Sequence, residues 1–63
     1  MGKNLRVERA KLNITQEELS RMSGVNRPTI SLIENDKMRD LKLNTVIKLA
    51  KALNITVSEL IGQ

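Results

Sequence analysis

Between Thr15 and Asn35 the chain reads TQEELSRMSGVNRPTISLIEN, a run in which helix start and stop signals follow one another closely. Thr15 with Glu18 is a capping box, in which hydroxyl and carboxylate each satisfy a backbone N–H that a first helical turn leaves without a partner. Ile14 and Leu19 have the spacing of the hydrophobic staple that clamps such a start. Gly24 enters the left-handed region without steric cost, so this helix ends near Ser23-Gly24. A second helix starts at once. Asn26 is a good N-cap, Val25 and Ile30 repeat the staple spacing, and Pro28 falls in the first turn, where its missing N–H costs nothing.

Two helices of about two turns, joined by a turn of about three or four residues containing Gly, make a helix-turn-helix over residues 16–35. Leu19, the small Ser20, Gly24, Val25, Ile30 and Ile33 stand where that motif keeps apolar, small or Gly residues. The wider frame of Thr15-Gln16-Glu17-Glu18-Leu19, Gly24-Val25-Asn26-Arg27, Thr29-Ile30-Ser31 and Ile33-Glu34-Asn35 resembles the Xre-type family of lambda/434 repressor- and Cro-like proteins. Lys48-Leu49-Ala50-Lys51-Ala52-Leu53 and Ser58-Glu59-Leu60 are similar to that family's closing helices. The resemblance covers nearly the whole chain. It implies an all-α, compact five-helix, lambda-repressor-like DNA-binding domain.

At 63 residues the chain has room for one domain, over residues 1–63, which buries only about 60% of its unfolded surface. It contains no aromatic residue, so the core must come from Leu, Ile, Val, Met and Ala. Without Cys or His there is no disulfide, no thiolate zinc site and no imidazole ligand. We expect no metal or cofactor and no small-molecule ligand. The segment from Met1 to Leu12 is charged throughout, unlike a signal peptide, and no apolar run is long enough to span a membrane. The expectation is a cytoplasmic protein.

Eleven Lys and Arg against seven Asp and Glu give a net charge of +4. A small basic domain is often no more than a soluble surface, so placement decides what the charge means. Six of the seven acids lie within residues 8–40, where they can pair locally. Arg27, Lys37, Arg39 and Lys42 instead cluster around the second helix of the motif and the loop that leaves it.

Upstream, residues 3–12 predict a first helix with Leu5, Val7 and Leu12 as apolar contacts and Asn13 as its left-handed stop. One pattern recurs: Leu12-Asn13-Ile14-Thr15-x-x-Glu18-Leu19 returns as Leu53-Asn54-Ile55-Thr56-x-x-Glu59-Leu60. Few good solutions exist for reversing a chain between short helices, and that explains the repeat better than duplication. Residues 36–42 form a polar loop. A fourth helix spans residues 43–53, its buried stripe being Val46, Leu49, Ala50 and Leu53. Its start is ambiguous, because Lys42 is a poor cap and Asn44 a good one. The Leu41–Val46 staple spacing favours Leu43 as the first helical residue. Residues 57–61 close the fold.

On a wheel of 100° per residue, Ile30 and Ile33 share one side of the second motif helix. Arg27, Pro28, Ser31, Leu32 and Asn35 fall on the other. The resemblance implies that this helix lies in the major groove with its N-terminal residues at base edges. Arg27 would then read O6 and N7 of a guanine; the alternative is that it contacts phosphate or only solvent. Pro28 and Leu32 replace the long polar side chains common in the family; they suit thymine methyls, and Leu32 alternatively suits a protein surface. Ser31 discriminates little among bases, and Asn26 is a cap before it is a contact, although the two roles are compatible.

Gln16 opens the first motif helix, whose N–H groups and dipole attract phosphate, and the resemblance implies that it contacts a phosphate or the flank of a base. Asn35, Lys37 and Arg39 would grip the backbone across the groove, and Thr29 adds a contact from the helix. Arg9 and Glu34 match a family ion pair between the first and third helices; the alternative is two solvated charges. Asp36 stands where the family usually has Gly, and the loop from Asn35 to Leu43 is one residue longer than the common pattern.

The leading reading is a sequence-specific regulator of transcription, repressor-like, bound to double-stranded DNA as a homodimer on an inverted repeat. Val57 and Ile61 are the expected dimer interface. The alternative is a protein-interaction or antitoxin-like module using Leu32 and Met38. An enzyme is disfavoured, since Ser20, Ser23 and Ser31 lack an activating base.

Overall fold

In the computed structural model, which describes residues 1–62, five helices follow in order. They are α1 (Gly2–Lys11), α2 (Gln16–Ser23), α3 (Arg27–Glu34), α4 (Leu43–Leu53) and α5 (Val57–Ile61). Helices α2, α3 and α5 begin where the cap signals place them. Thr15 and Thr56 each complete a capping box, and Asn26 accepts from Thr29 N–H. Leu43 is the first residue of α4, although Lys42 supplies no side-chain cap. Residues 3–12 were expected to be helical, and α1 runs one residue earlier at each end.

Each helix is followed by a residue in the left-handed region: Asn13, Gly24, Asp36, Asn54 and Gly62. After α1, Asn13 N–H donates to Ala10 O at 2.9 Å and Ile14 N–H to Arg9 O at 3.3 Å. After α4, Asn54 N–H donates to Lys51 O at 3.1 Å and Ile55 N–H to Ala50 O at 3.0 Å. Both are Schellman stops. The two copies of the sequence pattern thus build the same corner twice, a Schellman stop running straight into a capping box.

The core is one cluster of Leu5, Leu19, Val25, Ile30, Ile33, Val46, Leu49, Ala50, Leu53 and Leu60. Helix α2 packs on α3 and α4, α1 packs on α3 and α5, and α4 packs on α5. Ile14, Leu41 and Ile55, each the leading residue of a staple, lie partly buried against this cluster. Two assignments on α1 are corrected. Val7 is 42% exposed and Leu12 47% exposed, so Leu5 is the buried aliphatic residue of α1. Val7 points about 200° away from Leu5 on the wheel. Leu12 caps the helix end, where the chain turns, and it is Ile14 after the corner that packs on the core.

Gly2 explains how closely α1 approaches α3. A Cβ at this position would stand 2.5 Å from Ile33 O and 2.7 Å from Glu34 O, both backbone atoms. Only a residue without a side chain lets the first turn of α1 sit on the last carbonyls of α3.

Candidate nucleic-acid interface

Helix α3 is divided along its length. Ile30, Ile33 and Glu34 are buried, while Arg27, Pro28 and Leu32 are exposed, Leu32 at 42%. Ser31 and Thr29 are half-buried between the two sides. The burial follows from spacing, because Ile30 and Ile33 lie one turn apart and α1 and α2 both pack on this side. What remains outward is the edge that carries Arg27, Pro28 and Leu32.

Asn26 fixes the start of this helix, its Oδ1 accepting from Thr29 N–H at 3.1 Å. Asn35 is exposed at the other end, with its Nδ2 donating to Ser31 O at 2.8 Å. One of its donors is therefore used on its own helix. Lys37 and Arg39 follow, both exposed.

Behind the outward edge lies a three-residue polar clamp. Arg9 Nε donates to Glu34 Oε2 at 2.8 Å and Arg9 Nη2 to Glu34 Oε1 at 3.1 Å, a forked pair. Arg9 Nη1 also donates to Ile14 O at 3.0 Å, tying the α1–α2 corner to the same group. Gln16 Nε2 donates to Glu34 Oε1 at 2.9 Å. Glu34 itself is 2% exposed. Its hydrogen bond, and then its charge, raise the Arg9 guanidinium above its ordinary pKa against the opposing cost of burial. From the sequence, Gln16 reads as a phosphate or base-flank contact with no partner within the fold. The structure places its amide on Glu34, a link that sequence reading did not foresee because residues so far apart share no periodicity.

Arg27 and Gln16 meet in an open depression between the start of α2 and the start of α3, also lined by Arg9, Asn13, Ile14, Thr15 and Glu17. Pro28, Ser31, Leu32, Lys37 and Arg39 lie outside it. Val57 is half-buried and packs on the core, whereas Ile61 is 40% exposed. Met38 is also half-buried against the core, so it does not extend the exposed surface of Leu32.

The charges divide by use. Glu8 and Glu17 form ion pairs with Lys11 and Arg21, Glu18 and Glu59 close capping boxes, Glu34 holds the clamp, and Asp36 accepts from Gly2. Only Asp40 among the acids lacks such a partner among the described residues. Arg27, Lys37, Arg39 and Lys42 form no ion pair there either. Six of the seven acids are thus engaged in pairs, caps, the clamp or the bond to Gly2, whereas Lys3, Arg6, Lys48 and Lys51, like those four cations, form no ion pair among the described residues. Among the described residues no cluster of three or more Asp and Glu is placed to hold a metal, and no helix is long and apolar enough to cross a membrane.

A small all-helical domain with a helix-turn-helix, one outward helix edge and uncompensated cations beside it defines a class of nucleic-acid-binding proteins. Residues 5–60 match the family model described as Helix-turn-helix. The chain belongs to this family of DNA-binding transcriptional regulators. It is 41% identical over 61 residues to the control protein C.SmaI of Serratia marcescens, covering 97% of this chain and 71% of that one. It is 37% identical over 60 residues to an uncharacterised HTH-type transcriptional regulator of Methanocaldococcus jannaschii, covering 95% and 89%. The crystal structure of the restriction-modification controller protein C.AhdI from Aeromonas hydrophila superposes with a TM-score of 0.87. That protein is 36% identical, with 94% of this chain and 88% of the other covered. These are families of regulators and not of enzymes.

Proposed function

We propose that the chain regulates transcription by inserting the N-terminal half of α3 into the major groove of a specific DNA duplex. The observation that carries this is the outward edge of α3, with Arg27 exposed and in no ion pair among the described residues, and with Lys37 and Arg39 exposed beyond it. Arg27 reads a guanine through its fork, while Pro28, Ser31 and Leu32 pack along neighbouring base edges. Gln16, Asn26, Thr29, Asn35, Lys37 and Arg39 hold the flanking phosphates and so set the register without reading sequence directly. For Gln16 this role uses the second N–H of the amide whose first N–H is on Glu34.

The assembly we propose is a homodimer on an inverted repeat, joined through Ile61 and the exposed part of Val57, with half-sites about 34 Å apart. We place this regulator in the cytoplasm and assign it a repressor-like action. Selection of bound sequences from a random duplex pool tests the whole reading. A symmetric consensus with a guanine whose loss is tolerated by Arg27→Ala is expected. Recovery of no enriched sequence, together with duplex binding that does not weaken with salt, would leave the protein-interaction alternative in its place.

A further inference from the structure

Asp36 differs from the other residues that end helices. Like Asn13 and Asn54 it takes the left-handed conformation, with φ of 56°, a region in which Gly is at ease and most side chains are not, but it alone brings a carboxylate to such a stop. Its backbone N–H donates to Ile33 O at 3.0 Å, and the next residue, Lys37, donates its N–H to Leu32 O at 2.8 Å. That is a Schellman stop on the recognition helix, and it fixes the backbone of Lys37. The side chain of Asp36 bonds in the other direction. Its Oδ1 accepts from Gly2 N–H at 3.2 Å, and Gly2 is the buried residue on which α1 meets the last carbonyls of α3.

We infer that Asp36 is a positioning residue for the grip on the DNA backbone. By clasping Gly2 it holds the turn that sets the path of Lys37 and, beyond it, Arg39. A Gly at this position would make the turn more easily, so what Asp adds is the bond to Gly2. It adds this despite placing a negative charge one residue from a side chain proposed to face phosphate. The inference rests on the DNA-binding reading and adds to it a link from α1, through one carboxylate, to the loop after α3.

Two neutral variants isolate the clasp. Asp36→Asn and Asp36→Gly both remove the charge and both tolerate positive φ, but only Asn offers a side-chain oxygen to Gly2 N–H. Each full-length variant is titrated with a short mixed-sequence duplex at two salt concentrations, beside its melting temperature and the hydrogen exchange of the Gly2 amide. The Asn variant should keep the protection of Gly2 and bind at least as tightly as the parent. The Gly variant should melt close to the Asn variant, lose protection at Gly2, and bind on the order of fivefold more weakly than Asn, with a salt slope shallower by about one. Equal affinity and slope for Asn and Gly would overturn the role of Asp36 and leave DNA binding standing. A Gly2 amide equally exchangeable in parent and Gly variant would also overturn it. A parent chain that binds no duplex would overturn the DNA reading, and this inference with it.

Discussion

Glu34 accepts three hydrogen bonds from two side chains while almost wholly removed from water. A carboxylate so placed is tolerable only while its partners stay, because an unpaired buried charge costs several kcal/mol. Arg9→Met should therefore lower the stability to urea by about 3 kcal/mol, with an unchanged slope against denaturant. A loss below about 1 kcal/mol would mean that Gln16 and water suffice. Arg27 has the opposite character. It is exposed and forms no ion pair among the described residues, so Arg27→Ala should leave the unfolding midpoint alone, cost about 1–3 kcal/mol on the specific site, and relax preference at one base pair. Equal weakening on every sequence would demote Arg27 to a backbone contact. The exposed edge of α3 was legible from the helical wheel, but the bond from Gln16 to Glu34 was not. It depends on how α2 crosses the end of α3, which no local pattern encodes.

Helix boundaries were the most legible feature, because caps are made by residues within four of one another. Thr15-x-x-Glu18 and Thr56-x-x-Glu59 mark the starts of α2 and α5 in sequence and in structure. Facing was less legible. Val7 looked apolar enough for the core, but α3 and α5 cover the side of α1 that carries Leu5. The caps also predict a response to acid. Hydrogen bonds from the backbone and then the hydroxyl of Thr15 and Thr56 hold Glu18 and Glu59 below the ordinary carboxylate pKa. Lowered folded values mean that this stabilisation is complete above the unfolded value of about 4.3 and fades as pH falls through the folded ones. Between about pH 5 and 3 the melting temperature of the Glu18→Gln, Glu59→Gln double variant should fall less steeply than that of the parent. Parallel curves would show that other carboxylates govern acid unfolding. The left-handed stops allow a separate check. Asn13→Ala should be less stable than Asn13→Gly by about 1 kcal/mol, measured by thermal melting, since Ala pays for positive φ and Gly does not.

Among the described residues, six of the seven acidic side chains hold an ion pair, a cap or another hydrogen bond, while Arg27, Lys37, Arg39 and Lys42 form no ion pair. Lys3, Arg6, Lys48 and Lys51 form none either, so the excess charge extends beyond α3, and it is the engagement of the acids, which composition alone does not reveal, that leaves it available. Duplex affinity should fall linearly with salt on a log–log plot, at roughly 0.9 per phosphate neutralised. Lys37→Ala should make that slope shallower by about one. Self-association is expected through Ile61, so Ile61→Asp should sediment as a monomer at concentrations where the parent is dimeric. Its melting temperature should also lose any dependence on concentration. The carboxylate shared by Arg9 and Gln16 has one more consequence, for how this chain can change without failing. Its three contributors come from α1, α2 and α3, so replacing any one strands the other two. A library that randomises Arg9 alone should return Arg almost exclusively. One that randomises Arg9, Gln16 and Glu34 together should also return wholly aliphatic trios, because an oily plug of matching volume removes the charge and the need to neutralise it in a single move.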